Sequence, residues 1–220
     1  MATTQPGPGA GGPGRPRMRS PQRRAQLIDA AALEFAEHGY HGATMVGVAR
    51  AAGVTAALAY RHFPSKSALF VACVEHEWQR LRDRWDAALA LDPPPDQRLM
   101  TLGLSFVSGG DGVATLAALW FQAIAEAPRD DAIRACFVRS LEEVHVYVAD
   151  TSLTSQHVPG GMLPEREASV ESWTFVALGF LMAADMRTGG QVVGHLPAIN
   201  RERMSWLYGE ERSVGFFGPR

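Results

Sequence analysis

The sequence has few of the residues that build disulfide scaffolds, metal centres or membrane spans. Its two cysteines, Cys73 and Cys136, show no CxxC or Cys/His spacing, so reduced structural thiols and no metal are expected. The longest wholly apolar run, residues 175–184, is ten residues long and too short to cross a bilayer. The N-terminus is rich in proline and glycine rather than apolar, which predicts no secretory signal and a cytoplasmic protein.

Catalytic and nucleotide-binding motifs are equally scarce. The chain has nothing like HExxH, GxSxG or a P-loop, and its GxGxxG match at residues 7–12 has no strand before it. Isolated serine, histidine and aspartate residues in a helical chain do not indicate a catalytic triad. The sequence therefore predicts a protein that is not an enzyme and has no cofactor. An enzyme and a helical adaptor for protein contacts remain the alternatives.

Basic and acidic residues are unevenly divided along the chain. Lys66 is the only lysine among 21 basic residues, and the formal net charge is −2. Residues 1–66 hold eight basic and three acidic side chains, whereas the remainder holds thirteen and twenty. A basic N-terminal third on an acidic remainder is typical of a DNA-reading module attached to a sensor domain, although chance clustering of surface charge gives the same counts.

Residues 44–66 contain the strongest structural signal. Thr44 and Thr55 are each placed to cap a short helix, and Gly53 stands between them, where the chain must turn with a positive φ. Ser65 is a third candidate cap, before a helix that carries Lys66 in its first turn. Two short helices around a glycine turn predict a helix-turn-helix, whose second helix, residues 56–62, enters the DNA major groove.

The rest of the chain predicts helices throughout. A first helix is expected from Ser20 to about His38, and a long helix over residues 67–91 is expected to end at three prolines, residues 93–95. Glycine and proline breakers then separate candidate helices over residues 97–107, 113–127, 130–149, 165–188 and 197–208.

Residues 27–70 resemble the DNA-binding domain of the tetracycline-repressor (TetR) family over about 45 residues. The matching residues are Ala30, Ala31, Phe35, Gly39, Tyr40, Thr44, Val48, Ala49, Ala52, Gly53, Val54, Tyr60, His62, Phe63, Lys66, Ser67, Ala68 and Leu69. The resemblance implies an all-α fold, with an N-terminal helix-turn-helix DNA-binding domain and a C-terminal helical domain that dimerises and binds a ligand. The corresponding domains are a disordered arm over 1–18, the DNA-binding domain over 19–66, the ligand-binding and dimerisation domain over 67–210, and a tail over 211–220.

The resemblance also assigns residues to the DNA interface. It places Thr44, Tyr60 and Lys66 against phosphates, although a core position would equally explain the tyrosine. The base-reading positions are Val46, Gly47, Ala56, Ala57 and Leu58, and further DNA-binding candidates are Thr55, Arg61 and His62. Small apolar side chains pack on thymine methyl groups but do not form bidentate hydrogen bonds with purines. Specificity is therefore expected from thymine contacts, DNA shape and an arm of Arg15, Arg17 and Arg19 in a minor groove, unless that arm is a solvated tail.

Eight side chains lie on helices that line the ligand pocket in the resembling family, namely Met100, Phe106, Trp120, Phe121, Phe137, Tyr147, Trp173 and Phe175. As a group they predict an apolar, aromatic cavity for a hydrophobic effector, although core packing explains each one taken singly. Glu142 and His145 are candidate polar anchors in that pocket or members of a solvated helix face.

The predicted helix over residues 165–188 is apolar on two faces, so both faces must be buried. One face contains Trp173, Ala177, Leu181 and Ala184, which predicts a homodimer interface; a central helix within one monomer is the alternative. The function predicted is a transcriptional regulator that binds a palindromic operator in double-stranded DNA as a repressor and leaves it when a small effector binds. The alternative is a helical adaptor whose helix-turn-helix has lost specific DNA readout.

Overall fold

The computed structural model describes residues 20–107, 111–154 and 172–181. Within these ranges every regular element is helical, which confirms the all-α prediction. The elements are α1 (Ser20–Gly42), α2 (Met45–Ala51), α3 (Ala56–His62), α4 (Lys66–Leu89), a 3₁₀ turn (Pro95–Gln97), α5 (Arg98–Val107), α6 (Asp111–Glu126), α7 (Asp131–Thr154) and α8 (172–181). The predicted helix over 197–208, the arginine arm and Ala184 lie outside the described residues.

Side-chain hydroxyl groups start three successive helices, as the sequence predicts. Thr44 Oγ1 accepts a hydrogen bond from Gly47 N at 2.9 Å, and Thr55 Oγ1 accepts one from Leu58 N at 3.2 Å. Ser65 Oγ accepts from Ala68 N at 3.0 Å at the start of α4. Each cap pairs a backbone N–H group that the first helical turn leaves without a partner, and such a cap stabilises its helix by about 1 kcal/mol.

Two glycines with positive φ shape the N-terminal domain. Gly53 turns the chain between α2 and α3 at φ 63°, as predicted from the sequence. Gly39 has φ 73° and ψ 168°, which breaks α1 near the predicted end at His38 and lets a last helical turn reach Gly42. Since that conformation is almost restricted to glycine, Gly39 sets the direction in which the chain leaves α1.

The N-terminal core forms where α1 lies against the first turns of α4. Leu27, Ile28, Ala31 and Phe35, the apolar stripe expected from the sequence, are all buried. The ring of Phe35 meets the ring of Phe70 edge-on, with centroids 5.0 Å apart. Burying one such large apolar side chain contributes roughly 1.5–3 kcal/mol, so this stripe fixes α1 on α4.

Helix α4 is shared by the two halves of the described chain. It packs against α1 through Phe70 and against α5, α6 and α7 through its later turns. There Trp78 and Trp85 meet edge-on at 5.7 Å, and Trp78 lies 6.5 Å from Trp120 of α6. The helix ends at Leu89, because the chain reverses at Asp92, φ 52°, before the run of prolines.

None of the helices in the described ranges is long and apolar enough to span a bilayer. The same residues contain no cluster of three or more histidine, cysteine, aspartate or glutamate side chains placed to hold a metal ion.

Candidate nucleic-acid interface and ligand cavity

The outer face of α2 and α3 presents large apolar groups to solvent. Val46 on α2 is 64% exposed and Tyr60 on α3 is 53% exposed. Thr44, Thr55, Ala57 and Arg61 are also exposed, whereas Ala56, Leu58 and His62 are half-buried. Tyr60 thus lies on the surface, which excludes the core position that the sequence left open for it. The exposed side chains of the two short helices are therefore a mixture of apolar, hydroxyl-bearing and basic groups.

Gly47 does not belong to that face. It is buried on the inner side of α2, where a Cβ atom would collide with the Glu34 carboxylate of α1. It therefore does not share the exposed side of α2 with Val46, the other predicted base-reading position on that helix. The sequence pattern missed this because a glycine has no side chain to show which face of a short helix it occupies.

Lys66 is half-buried against the C-terminal end of α1. Its Nζ atom donates to Tyr40 O at 2.8 Å and to Ala43 O at 3.3 Å, and lies 4.7 Å from the centre of the Tyr40 ring. Carbonyl groups at a helix C-terminus carry partial negative charge and lack intrahelical partners, so they suit an ammonium group. Two of the three Lys66 protons that were predicted to face phosphate are used within the protein.

Basic side chains are carried by α1, α2 and α3. Arg50 near the end of α2 and Arg61 in α3 are both exposed. Arg24 of α1 lies over the ring of Phe63, with its guanidinium carbon 4.8 Å from the ring centre. Exposed arginines and exposed apolar groups on the same two helices are features expected of a surface that meets both the DNA backbone and base edges.

A cavity of about 440 Å³, counting its open mouth, lies between α4, α5, α6, α7 and α8. Its walls are almost wholly apolar and are formed by Leu81, Trp85, Phe106, Leu116, Ala117, Trp120, Val144, Phe175, Val176, Gly179 and Phe180. Its lining is that of a pocket for a small, mainly hydrophobic molecule.

Three of the eight predicted pocket residues, Phe106, Trp120 and Phe175, line this cavity. The other five are not among the residues that form its walls. Phe137 meets Trp120 edge-on from α7, and Phe121 packs on Phe180 from outside.

The remaining predicted pocket residues have partners elsewhere. Tyr147 lies against Trp85 and donates to Asp86 Oδ1 at 2.6 Å; burial, together with this bond, raises the pKa of the phenol. Trp173 stacks on the predicted anchor His145 at 4.5 Å. Met100 is half-buried on α5, and Glu142, the other predicted anchor, is exposed on α7. Sequence alone missed Trp85 and Phe180 as wall residues, because only the packing of α4 on α6 and α8 shows which side of each helix faces the cavity.

The outer face of α8 is apolar and exposed in the single chain. Trp173 is 44% exposed, Leu181 is 52% exposed and Ala177 between them is also exposed. The opposite side of the same helix contributes Phe175 and Val176 to the cavity. Helix α8 therefore lines the cavity with one side and exposes apolar side chains on the other.

Helix α6 connects the cavity to the N-terminal domain. Leu116 and Trp120 line the cavity, and two residues after Trp120 the Gln122 side chain donates to Phe35 O of α1 at 2.9 Å. One turn further, Glu126 Oε1 lies 2.9 Å from Nε2 of His41, just beyond the break in α1. The C-terminal end of α6 therefore contacts α1 on both sides of the break at Gly39.

A second connection joins the start of α4 to the start of α7. Asp130 caps α7, accepting hydrogen bonds from Ala132 N at 3.0 Å and Ile133 N at 3.1 Å. It is also hydrogen-bonded to the hydroxyl group of Ser67, which is the main reason that the pKa of its carboxyl group is lowered. The residue after Lys66 is therefore tied to the helical domain.

Residues 27–73 match the family model of the bacterial regulatory proteins, tetR family. The HTH-type transcriptional regulator BetI of Rhizobium meliloti (strain 1021) is 35% identical over 119 residues, which are 54% of this chain and 58% of that protein. The chain thus spans little more than half the length of this curated relative.

Two solved structures resemble the fold over most of the chain. A proposed TetR-family regulator from Rhodococcus sp. has a TM-score of 0.65 at 20% identity and covers 89% of this chain and 96% of its own. A proposed regulator from Saccharomonospora viridis, solved in complex with choline, has a TM-score of 0.68 at 21% identity and covers 79% of this chain and 89% of its own. The names of all three proteins are those of transcription regulators.

Proposed function

By its N-terminal domain this chain belongs to the tetR family of bacterial regulatory proteins, and on that premise we propose that it is a ligand-responsive transcriptional repressor. It binds a palindromic operator as a homodimer and leaves the DNA when a small, mainly hydrophobic effector fills the cavity. Its place of action is the cytoplasm, where the DNA is. The proposal is carried by the exposed apolar side chains of α2 and α3, two helices that begin at the hydroxyl caps Thr44 and Thr55 and carry the exposed Arg50 and Arg61.

DNA readout in this proposal depends on shape and methyl groups. Val46, Ala56, Ala57 and Leu58 pack on thymine methyl groups in the major groove, since none of them offers a polar atom to a base. The residues that hold the backbone are those at the edge of the face, Thr44, Thr55, Tyr60, Arg61 and His62. Arg17 and Arg19 extend this contact into a flanking minor groove.

The homodimer in this proposal forms through α8. Two chains bury Trp173, Ala177 and Leu181 against each other, which removes the exposed apolar face from water. Replacing Trp173 and Leu181 together by glutamate is expected to yield monomers in analytical ultracentrifugation and to abolish operator binding. A variant that stays dimeric would place the interface elsewhere on the chain.

Signal transmission in this proposal runs through α4 and α6. Both helices line the cavity and both contact the N-terminal domain, α4 at Lys66 and α6 at Gln122. An effector that binds more tightly to one arrangement of these helices shifts the dimer toward that arrangement, which changes the spacing of the two α3 helices. A structure of similar fold was solved in complex with choline, which supports a small-molecule effector.

The DNA-binding part of the proposal is tested by selecting duplexes from a random pool with the purified chain at near-physiological salt. An inverted repeat is expected, with thymines at the positions that α3 meets. Tyr60→Ala is expected to lower affinity for that site at least tenfold, whereas Leu33→Ala, an equally exposed apolar change on α1, leaves it unchanged. No enrichment, with salt-sensitive background binding only, would instead favour the adaptor.

The transmission part is tested without knowing the effector, by filling the cavity with a side chain. Ala117 is buried in the cavity wall, so Ala117→Leu imitates an occupied cavity and is expected to weaken operator binding about tenfold. Ala125→Leu, at an exposed position of the same helix, is the matched control. Adding Gln122→Leu, which removes the hydrogen bond to Phe35, is expected to lessen the effect of Ala117→Leu.

Gln79→Leu removes a hydrogen bond to Asp83 within α4 and controls for the loss of an amide group at position 122. Thermal denaturation of each variant checks that it is folded. If Ala117→Leu binds the operator as tightly as the unchanged protein while remaining folded, the cavity is not coupled to DNA binding by this route.

A further inference from the structure

One glycine of the cavity wall, Gly179, lies inside α8 although glycine is among the poorest helix formers. A Cβ atom at this position would lie 3.8 Å from the ring of Phe106, which is an ordinary van der Waals distance. The packing of α8 on α5 would therefore accept alanine, unlike the packing of α2 on α1, where a Cβ atom at Gly47 would collide with the Glu34 carboxylate. Since neither the helix nor its packing requires glycine at position 179, what the glycine provides is space in the cavity.

Aromatic rings form much of the wall around this space. Phe106 reaches the cavity from α5. Trp85 of α4 meets Phe175 edge-on at 6.1 Å, and Trp120 of α6 lies 4.9 Å from Phe180. An aromatic ring in the cavity therefore has ring partners on four helices, and stacked or edge-on contacts between rings favour it beyond the area that it buries.

The described side chains of the wall offer nothing polar to a ligand. They include no ionisable group, and their only nitrogen atoms are the Nε1 atoms of Trp85 and Trp120. Both atoms are inaccessible to solvent, so a molecule in the cavity does not reach them. A charged or hydrogen-bonding group would lose its hydration there without gaining a side-chain partner, which disfavours ions and polar molecules.

We propose that the cavity binds an uncharged aromatic hydrocarbon ring, which lies against Gly179 in the space that a larger side chain would fill. This inference names the chemical class of the effector and rests on the proposed function. The aromatic side chains select a flat aromatic molecule over a saturated one, and Gly179 sets the size of the molecule that fits. A quaternary ammonium group is also attracted to ring faces, but the described wall has no acidic side chain to pair with its charge.

Four probes of similar size separate these classes by titration calorimetry on the full chain. Toluene is aromatic and uncharged, methylcyclohexane has a similar outline without an aromatic ring, benzoate is an anion and phenyltrimethylammonium is a cation. The affinity of each hydrocarbon is divided by its partition coefficient from water into hexadecane, which removes the difference in hydrophobicity. On that scale toluene is expected to bind at least about fivefold more tightly than methylcyclohexane. Both ions are expected to bind more weakly than toluene.

The position of bound toluene is read from methyl resonances by NMR. Its ring current is expected to shift the methyl groups of Val144 and Val176, which line the cavity. The methyl groups of Val146, which is 55% exposed on α7, are expected to stay unchanged. Toluene that leaves both wall valines unmoved, or that shifts Val146 instead, would overturn the inference.

Gly179→Ala adds one methyl group to the wall, and benzene is toluene without its methyl group. The unchanged protein is expected to bind toluene about fourfold more tightly than benzene, the ratio for one buried methyl group. Gly179→Ala is expected to abolish that preference and to keep or raise the melting temperature, because alanine favours a helix. Gly42→Ala, the same exchange at a position of α1 outside the cavity wall, is expected to keep the preference.

Equal corrected affinities for toluene and methylcyclohexane would overturn the selection of an aromatic ring. Tighter binding of phenyltrimethylammonium than of toluene would overturn the inference in favour of an aromatic cage for cations, and tighter binding of benzoate in favour of an anion site. A folded Gly179→Ala variant that still prefers toluene fourfold would overturn the role of Gly179. All of these measurements are made without DNA, so the ligand class and the proposed DNA-binding function fail or stand separately.

Discussion

Replacing Lys66 by methionine is expected to weaken folding and to leave the number of phosphate contacts unchanged. The family resemblance assigns Lys66 to a DNA phosphate, but in the folded chain its ammonium group holds the end of α1 through Tyr40 O and Ala43 O. Methionine keeps most of the packing of the lysine stem and removes the charge and all three donors. A phosphate-binding role and a structural role for Lys66 therefore predict different effects of Lys66→Met.

The expected loss follows from the geometry. A hydrogen bond from a charged donor contributes about 1.5–3 kcal/mol, and the 2.8 Å bond to Tyr40 O is at an ideal length. The 3.3 Å bond to Ala43 O is long and adds less, and the ammonium group over the Tyr40 ring adds about 0.5 kcal/mol. Lys66→Met is thus expected to lower the free energy of unfolding by about 2–3 kcal/mol. Lys66→Arg retains a charged donor and is expected to lose less.

Urea denaturation measures the stability, and the dependence of DNA affinity on salt counts phosphate contacts. Arg61→Ala, at an exposed position, is the matched comparison: it is expected to leave stability unchanged and to lower the salt slope by about 0.9 for each protomer. Because Lys66 is the only lysine, an amine-reactive reagent followed by peptide mass spectrometry also reports its protection directly. Unchanged stability with a reduced salt slope, and protection only on DNA, would refute a structural role.

Three further substitutions or treatments test the account of the fold. Gly39→Ala is expected to cost about 1–3 kcal/mol by denaturation, because φ 73° and ψ 168° suit only glycine, whereas the helical Gly42→Ala is neutral or slightly stabilising. Burial raises the pKa of the Glu77 carboxyl group, so its charged form weakens the fold as pH rises through that pKa. Glu77→Gln is therefore expected to raise the free energy of unfolding near pH 7 and to have no such effect below pH ~4, where the glutamate is protonated. A stabilisation at both pH values would contradict burial of the carboxylate as the cause. Buried Cys73 and Cys136, the latter with its pKa raised to about 11, are expected to react with a thiol reagent at pH 8 only as fast as the chain opens; rapid labelling would contradict their burial.

The parts of the fold that follow from short-range chemistry could be predicted from sequence. Thr44, Thr55 and Ser65 each bond a backbone N–H three residues ahead, so residue type and spacing suffice to place the starts of α2, α3 and α4. Gly53 is equally local, since a turn between two helices requires its positive φ. The first residues of α3, α4, α5 and α7 fall at or next to their predicted positions, whereas α7 runs on to Thr154, beyond its predicted end at residue 149.

The parts that depend on contacts between distant segments were predicted less well. Phe106, Trp120 and Phe175 were predicted for the cavity and line it, but Trp85 and Phe180 were missed and Tyr147 and Trp173 face other partners. A helical pattern shows that a side chain is apolar and on one face, not which neighbouring helix that face meets. The DNA-binding surface, the homodimer and the domain boundaries stay predictions.

The break at Gly39 also affects how freely the protein can change during evolution. The short turn beyond it is tied to α6 through His41 and Glu126, and α6 in turn forms part of the cavity. Substitutions in α6 that alter ligand preference therefore disturb the domain predicted to bind DNA as well. Phe175 and Phe180 on α8 form the opposite wall and meet Trp85, Trp120 and Phe121 of α4 and α6. Substitutions on α8 alter the cavity lining without disturbing the contacts between α6 and α1. Ligand preference is therefore expected to diversify first through α8.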